Sequence, residues 1–452
     1  MMKTISVIAL LVAVACTKPE NRCTTDSDCT NPAYPFCDAD GQYAPSDGEK
    51  GVCTIVPPDC PVDRCGCTAG ATTCTMNVLS VCNSDGASQT MTNCDVGCES
   101  DGTACKTFVP SNGLAPSFSG ASALPALVIP DGANIDTDTG VVSSSDGTVV
   151  HDGSVSSLVT FGSLTIRVFA APTLALHSIK VNGTLPIAFV AATTIDVDGL
   201  VDVSADGSNA GPGAAGSDSL STAAPFEGTS CNICSLYGAG GGGDAIAGGA
   251  GGGGSNGGTG AVAETGFLLV GGGGGGSGLV PVLGHPDSVN PGGGGGGAIQ
   301  LVAGTQLTLA GIINAGGGGG TSIMAGGGAG GVVILESPVV SIGAVGGIAA
   351  NGGGGAGCFE NGGDGTPDAV AAAGGSDSGL SPSMYGGTGG VVSSTIATEA
   401  GGEGLPPSGQ GSYGGGGGSV GRARIATFDG TFTQDPSAIM SVVVTADTLQ
   451  TQ

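Results

Sequence analysis

Sulfur is the most concentrated chemistry in this 452-residue chain. Twelve cysteines fall close together: Cys23, Cys29, Cys37, Cys53, Cys60, Cys65, Cys67, Cys74, Cys82, Cys94, Cys98 and Cys105. The number is even, and the intervening residues are mainly Asp, Ser, Thr, Gly and Pro, which suits a disulfide framework in an oxidising compartment. Two modules are expected, over residues 16–58 and 59–106, and the spacing leaves their connectivity open. Zinc is the competing sulfur chemistry, but no His lies in this stretch and the spacings are irregular, whereas zinc modules space their ligands in regular pairs. Cys231 and Cys234 form a C-x-x-C step with no strand and helix around it. That suits a structural disulfide better than a redox pair, with Cys358 as an alternative partner.

Other chemistry is thinly provided. Asn134, Asp136 and Asp138 in NIDTDTG put oxygen ligands at alternate positions, as half of a calcium loop does. The Gly comes one residue late and the downstream Glu is missing, so a structural turn is expected, with Ca²⁺ the only cofactor in view. His151, His177 and His285 stand singly, without a partner at triad or metal spacing, and His177 in LALHSIKV reads as a strand residue. Asp196, Asp198 and Asp202 alternate through IDVDGLVD and are expected at solvent. Polysaccharide hydrolases need paired carboxylates and lyases a positioned base; neither assembles here, and no catalytic activity is expected. Lys and Arg total 10 against 37 acids, a formal charge of −27. No Lys or Arg lies between Lys180 and Arg422, which argues against nucleic acid as a partner and leaves the acidity as a source of solubility.

The elements that would position these groups are repeats. Residues 186–207 (PIAFVAATTIDVDGLVDVSADG), 298–320 (AIQLVAGTQLTLAGIINAGGGGG) and 332–355 (VVILESPVVSIGAVGGIAANGGGG) align. Ile187, Ile299 and Val333 open a first strand; Ile195, Leu307 and Val340, with Val197, Leu309 and Ile342, form a second. A third apolar element holds Val201 and Val203, then Ile312, then Ile348. Period-two alternation puts each such pair on one strand face. A unit of about 20 residues with several short strands is the size of one coil of a parallel β-helix. Residues 164–183 read as a partial fourth copy and 421–432 as a fifth fragment. The expected fold is mainly β: a glycine-rich parallel β-helix or solenoid over residues 128–452, reached through a Ser-, Pro-, Gly- and Ala-rich linker at 107–127.

Glycine-rich inserts leave these repeats at equivalent points, over residues 208–297, 317–331 and 353–418. Each Gly costs about 0.5–1 kcal/mol more to order than Ala, so order requires a dedicated backbone solution. Extended helices with three residues per turn, packed side by side, supply one. The runs at 251–254, 271–276, 292–297, 316–320, 352–355 and 414–418 are expected to lie together. In composition they resemble the glycine-rich bundles of springtail antifreeze proteins and of the anaplastic lymphoma kinase ectodomain.

Residues 1–15 carry Lys3 and an apolar run at 5–14 too short to span a bilayer, the pattern of an export signal. It ends in Ala13-Val14-Ala15-Cys16, which resembles the lipobox of bacterial lipoproteins, although Leu is commoner than Ala three residues before the Cys. The resemblance implies that Cys16 becomes the lipidated first residue, and Thr17 in place of Asp implies the outer membrane. The C-x5-C-x7-C pattern with its SDC step, and the later CNSDG and GCESDGTAC steps, resemble modules of glycine-rich surface lipoproteins from myxobacteria and related deltaproteobacteria. That family implies no activity. It implies a structural or adhesive protein tethered by an N-terminal lipid anchor and facing the cell surface, with a surface glycan or another copy of itself as partner. The alternative is a carbohydrate-binding or carbohydrate-active parallel β-helix.

Overall fold

The computed structural model describes residues 24–25, 28, 36–38, 52–54, 70–75, 78–82, 89–94, 98–99, 101–216, 239–244, 248–251, 268–280, 288–321, 324–357, 360–376, 385–392 and 414–451. The chain divides into two compact units, Met1–Cys105 and Lys106–Gln452. It is mainly β, and its large sheets are mostly parallel.

In Met1–Cys105 the strands are short and antiparallel. Phe36–Asp38 pairs with Val52–Thr54, with Cys37 opposite Cys53. Thr72–Thr75, Val78–Cys82 and Gln89–Asn93 form a three-stranded sheet. Strand alternation in TTCT buries Cys74 and exposes Thr73 and Thr75. Pieces this small cannot bury enough apolar surface to hold themselves, and covalent bonds make up the difference. Cys74 bonds to Cys98 and Cys94 to Cys105; Cys37 and Cys82 are disulfide-bonded as well.

Lys106–Gln452 is built on three sheets that receive strands in rotation. Leu164–Ala171, Leu174–Leu176 and Ile179–Asn182 enter the seven-, five- and eight-stranded sheets in turn. The cycle repeats with Ile187–Ala191, Thr194–Val197 and Leu200–Asp202, then with Ala298–Ala303, Gln306–Leu309 and Ile312–Asn314. Val332–Glu336, Val339–Ile342 and Gly347–Ala349 follow, and then Arg422–Thr427, Thr433–Gln434 and Ile439–Ser441. Each strand pairs in parallel with its counterparts, so Ile187, Ile299, Val333 and Ala423 form one column. Ile195, Leu307 and Val340 form another. In the third element the buried column is Val201, Ile313 and Ile348. Ile312, expected there, is half-buried and pairs with Leu200. Two adjacent isoleucines fit the composition equally well, and only the register separates them, because a one-residue slip reverses the face.

Parallel strands buried on both faces read as continuous apolar runs, and the seven-stranded sheet has them in IAFVA, AIQLVA and VVILE, every residue buried. Its inner face carries the column Phe169, Phe189, Leu301, Leu335 and Ile425 into the main core. The Phe169 and Phe189 rings stack at 5.7 Å. Burying one such side chain contributes about 1.5–3 kcal/mol. The outer face packs on Phe108, Leu114 and Ala121. Residues 107–127, expected as a linker, therefore belong to the fold. Three apolar anchors in a Ser-, Pro- and Gly-rich background, with the short helix Ala115–Gly120 between two of them, cover the sheet. Ahead of the first cycle, Ala133–Asp136 joins the eight-stranded sheet in parallel, whereas Val141–Ser143, Val149–Asp152 and Ser156–Phe161 add antiparallel strands. After the last cycle Val443–Thr448 extends the seven-stranded sheet.

The glycine runs hydrogen-bond to one another with a period of three. Along residues 326–331 the amides donate in order to Gly276, Gly416, Gly318, Gly273, Ser419 and Ala315, at 2.7–2.9 Å. Every third donor thus returns to the same neighbouring segment. The carbonyls of Gly326, Gly327, Gly328 and Ala329 accept from Gly293, Gly242, Gly353 and Gly296. This run therefore touches six others through backbone alone. Residues 352–356 repeat the rule: Gly352 and Gly355 donate to Gly390 and Gly387, Gly353 and Ala356 to Gly328 and Ala325. Runs 271–276, 292–297, 316–320, 352–355 and 414–418 all belong to this network; residues 252–254 lie outside the described residues.

Candidate functional site

The strand Arg422–Thr427 reads RARIAT. Alternation sends Ala423 and Ile425 into the core and leaves Arg422 and Arg424 on the outer face. A cleft of about 820 Å³ opens there, lined by residues 109–113, Ala115 and Pro116 together with Phe161, Leu268, Arg422, Arg424 and Asp447. Its floor is a buried polar network. Arg424 donates through Nη1 to Glu336 Oε1 at 2.8 Å and through Nε to Asp447 Oδ2 at 2.9 Å. Glu336 Oε2 accepts from Gln300 Nε2 at 2.8 Å and from the Ser111 amide at 3.0 Å. Asn112 Nδ2 donates to Gln300 Oε1 at 2.9 Å. Glu336 is only 2% exposed and Gln300 fully buried. A carboxylate this deep is tolerable because both oxygens accept hydrogen bonds and a guanidinium compensates its charge.

The network fixes the near wall. Asn112 adopts φ 54° and Gly113 φ 74°, a left-handed pair that turns the chain back over the sheet. A Cβ at Gly113 would come within 3.0 Å of the Phe161 ring, so the glycine lets the backbone lie against that ring. On the far side Arg422 Nε stands 3.5 Å from Asp244 Oδ1. Asp244 is buried, and its Oδ2 has no hydrogen-bond partner among the described residues. Burial pushes its carboxyl up to about 7, against the opposing pull of Arg422. The cleft thus offers held guanidinium groups, a mixed polar rim and an apolar wall, which is a geometry for binding. Among the described residues, no His, Cys or Lys lines it.

The residues singled out by sequence lie elsewhere. Cys16, Cys23, Cys29, Cys60, Cys65, Cys67, Cys231 and Cys234 fall outside the described residues, as does Cys358, and Cys53 is described only as part of its strand. Cys74 Sγ lies 3.3 Å from Cys94 Sγ, so the two disulfides touch. Cys74, Cys94 and Cys98 are as compact as a metal site, but their sulfurs are bonded in pairs and carry no thiolate to ligate one.

Asn134 and Asp136 lie in the strand Ala133–Asp136, and Asp138 lies in the turn that follows it. Asp136 Oδ1 accepts the Asp138 amide at 2.9 Å, and Asp138 Oδ1 accepts the amide and hydroxyl of Thr184 at 3.0 and 2.5 Å. The carbonyls of Thr137 and Asp138 accept from Arg167 Nε and Nη2 at 2.8 and 2.7 Å. His177, expected within a strand, sits in the turn after Leu174–Leu176, with Nδ1 at 2.6 Å from Asp198 Oδ1. Asp196 and Asp198 are exposed, whereas Asp202 is half-buried and accepts from Lys180 Nζ at 2.8 Å.

The polar floor of the cleft is absent from the sequence expectations. Its signal was a polar residue in each apolar strand: Gln300 in AIQLVA, Glu336 closing VVILE, and Arg424 beside Arg422 in RARIAT. Registering the strands brings these three together. No family model matches this chain, and no curated protein or solved structure matches it.

Proposed function

We propose that Lys106–Gln452 is a parallel β-helix with a polyglycine II bundle beside it, and that the chain is an outer-membrane-anchored surface lipoprotein. Its role is structural or adhesive, without catalysis. The observation that carries this reading is the rotation of donors along residues 326–331. A polyproline II-type helix has three residues per turn and no internal hydrogen bonds, so every amide and carbonyl is free for its neighbours. The strand rotation through three sheets in constant register supports the β-helix in the same way. Such a framework is stiffened by backbone alone, which suits a passive surface element.

Export and anchoring rest on the signal-like residues 1–15 and on Cys16, and the disulfides of the amino-terminal unit are the kind an oxidising compartment maintains. Cys16→Ala should abolish fatty-acid labelling and release the protein from the membrane fraction. Retention of the variant in the outer membrane after a high-salt wash would refute the lipid anchor. A second reading, carbohydrate binding, is favoured by one feature, the cleft between residues 109–116 and Arg422.

A further inference from the structure

We infer that the two touching disulfides of the amino-terminal unit form a thiol-triggered exchange switch, in which Cys74–Cys98 and Cys94–Cys105 convert to Cys74–Cys94 and Cys98–Cys105. The inference concerns Met1–Cys105 alone and holds whether or not Cys16 is lipidated.

Two independent contacts put the second pairing within reach. Cys74 Sγ stands 3.3 Å from Cys94 Sγ. Cys98 and Cys105 face each other as an antiparallel bridge, and the Glu99 amide closes the turn between them by donating to Ala104 O at 2.9 Å. Opposed residues of an antiparallel pair have Cα atoms about 4.5–5.5 Å apart, inside the range of about 4.4–6.8 Å that a disulfide spans. The four sulfurs thus have two pairings on one backbone. They also differ in access. Cys74 and Cys94 are 7% and 3% exposed, whereas Cys98 and Cys105 are half-buried. A small external thiol therefore meets Cys98 or Cys105 first, and the sulfur it displaces is a buried one.

The exchange balances without an oxidant or a reductant. An external thiolate attacks Cys98 Sγ and forms a mixed disulfide, and the electron pair of the Cys74–Cys98 bond leaves on Cys74. The Cys74 thiolate attacks the adjacent Cys94 Sγ, forming the Cys74–Cys94 bond and expelling the Cys105 thiolate. Cys105 then attacks Cys98 across the turn, and the external thiolate departs. Two disulfides enter and two leave, and the external thiol is regenerated. Entry at Cys105 runs through Cys94 and Cys74 to the same product. What changes is the covalent wiring. In the resting pairing both bridges tie the turn 98–105 to the three-stranded sheet, one at the strand Thr72–Thr75 and one just past Gln89–Asn93. After exchange, Cys74–Cys94 links the first strand of that sheet to the end of its third, across Val78–Cys82, and Cys98–Cys105 closes the turn on itself. Backbone contacts remain, such as the Cys74 amide on Gly102 O at 2.6 Å, but the covalent ties from turn to sheet are gone. A thiol in the surroundings thus loosens the turn without lowering the number of disulfides.

The test is exposure of full-length oxidised protein to millimolar reduced glutathione under native conditions at about pH 8, near the ordinary thiol range. The reaction is quenched with acid, and cross-links are mapped by mass spectrometry without reduction. Cys74–Cys94 and Cys98–Cys105 should appear only when the thiol is present. They should exceed any bridge from these four to another cysteine by about tenfold or more, because sulfurs already in contact react at a high effective concentration. Persistence of the resting pairs alone overturns the proposal, as does accumulation of free thiols or glutathione adducts without the new pairs, or equal scrambling with the other cysteines. A second measurement starts from the product side. Exported Cys98→Ser/Cys105→Ser protein should carry a Cys74–Cys94 bridge, and alkylatable thiols at both positions overturn the proposal. If that variant does not accumulate, the glutathione experiment decides alone.

Discussion

Placing one methyl group at Gly328 tests whether the glycine runs are packed. The Gly328 amide donates to Gly318 O at 2.8 Å, and its carbonyl accepts from Gly353 at 2.8 Å. A Cβ there would lie 2.0 Å from Gly294 O and 2.5 Å from Gly294 C. Ordinary contact would require the two backbones to part by more than about 1 Å, yet both are held by other runs. Overpacking of this kind costs about 1–3 kcal/mol. Parting the runs also breaks bonds on either side, and each buried amide left unsatisfied adds about 1–3 kcal/mol. Gly328→Ala should therefore destabilise Lys106–Gln452 by roughly 3–5 kcal/mol. Gly363→Ala is the matched control: its nearest atoms, Ala373 N and O, stand at 3.4 and 3.5 Å. The methyl group fits there, and the stiffer unfolded chain contributes about 0.4–1 kcal/mol in favour of folding. Denaturant titration should be read with hydrogen exchange, since a chain of two units need not unfold in one step. Agreement of the two variants to within about 0.5 kcal/mol would refute the packing.

Two further predictions concern Asp244 and the cysteines. Burial raises the Asp244 carboxyl from 3.8 to about 7; the folded state therefore holds the proton more tightly than the unfolded chain does. This contribution is fully present below about pH 4 and is lost as pH rises through 7, so stability should fall by up to a few kcal/mol between about pH 4 and 7 and level off above. Asp244→Asn should flatten that slope in a pH series of melts, and an unchanged slope would contradict the assignment. In exported protein all twelve cysteines between Cys23 and Cys105 should resist alkylation without reductant, and mass spectrometry should recover the Cys74–Cys98 and Cys94–Cys105 cross-links. Free thiols in that stretch, or bound zinc, would contradict the framework.

The repeat was legible in the sequence because in-register parallel pairing forces equivalent residues into columns. Ile187, Ile299 and Val333 align in sequence and stack in space for the same reason. The failures have physical causes too. Ile312 and Ile313 differ only in the direction they face, which composition does not encode. Phe108, Leu114 and Ala121 are too widely spaced for any period, so a covering segment read as a linker. The last cycle lay in strands such as Thr433–Gln434 and Ile439–Ser441, too short for alternation to register. The cleft was the least legible part. Gln300, Glu336 and Arg424 lie as many as 124 residues apart in sequence, from 300 to 424, and become one network only when glycine-rich inserts of unequal length bring their strands side by side.

Amide hydrogen exchange of the glycine runs addresses the proposed bundle most directly, because hydrogen bonding alone distinguishes a packed run from a solvated loop of the same composition. The amides of residues 292–297 and 326–331 should be protected as strongly as those of Ala298–Ala303, which lies inside the seven-stranded sheet. Exchange of those runs at the rate of an unstructured peptide, with Ala298–Ala303 still protected, would contradict the bundle and leave only the sheets.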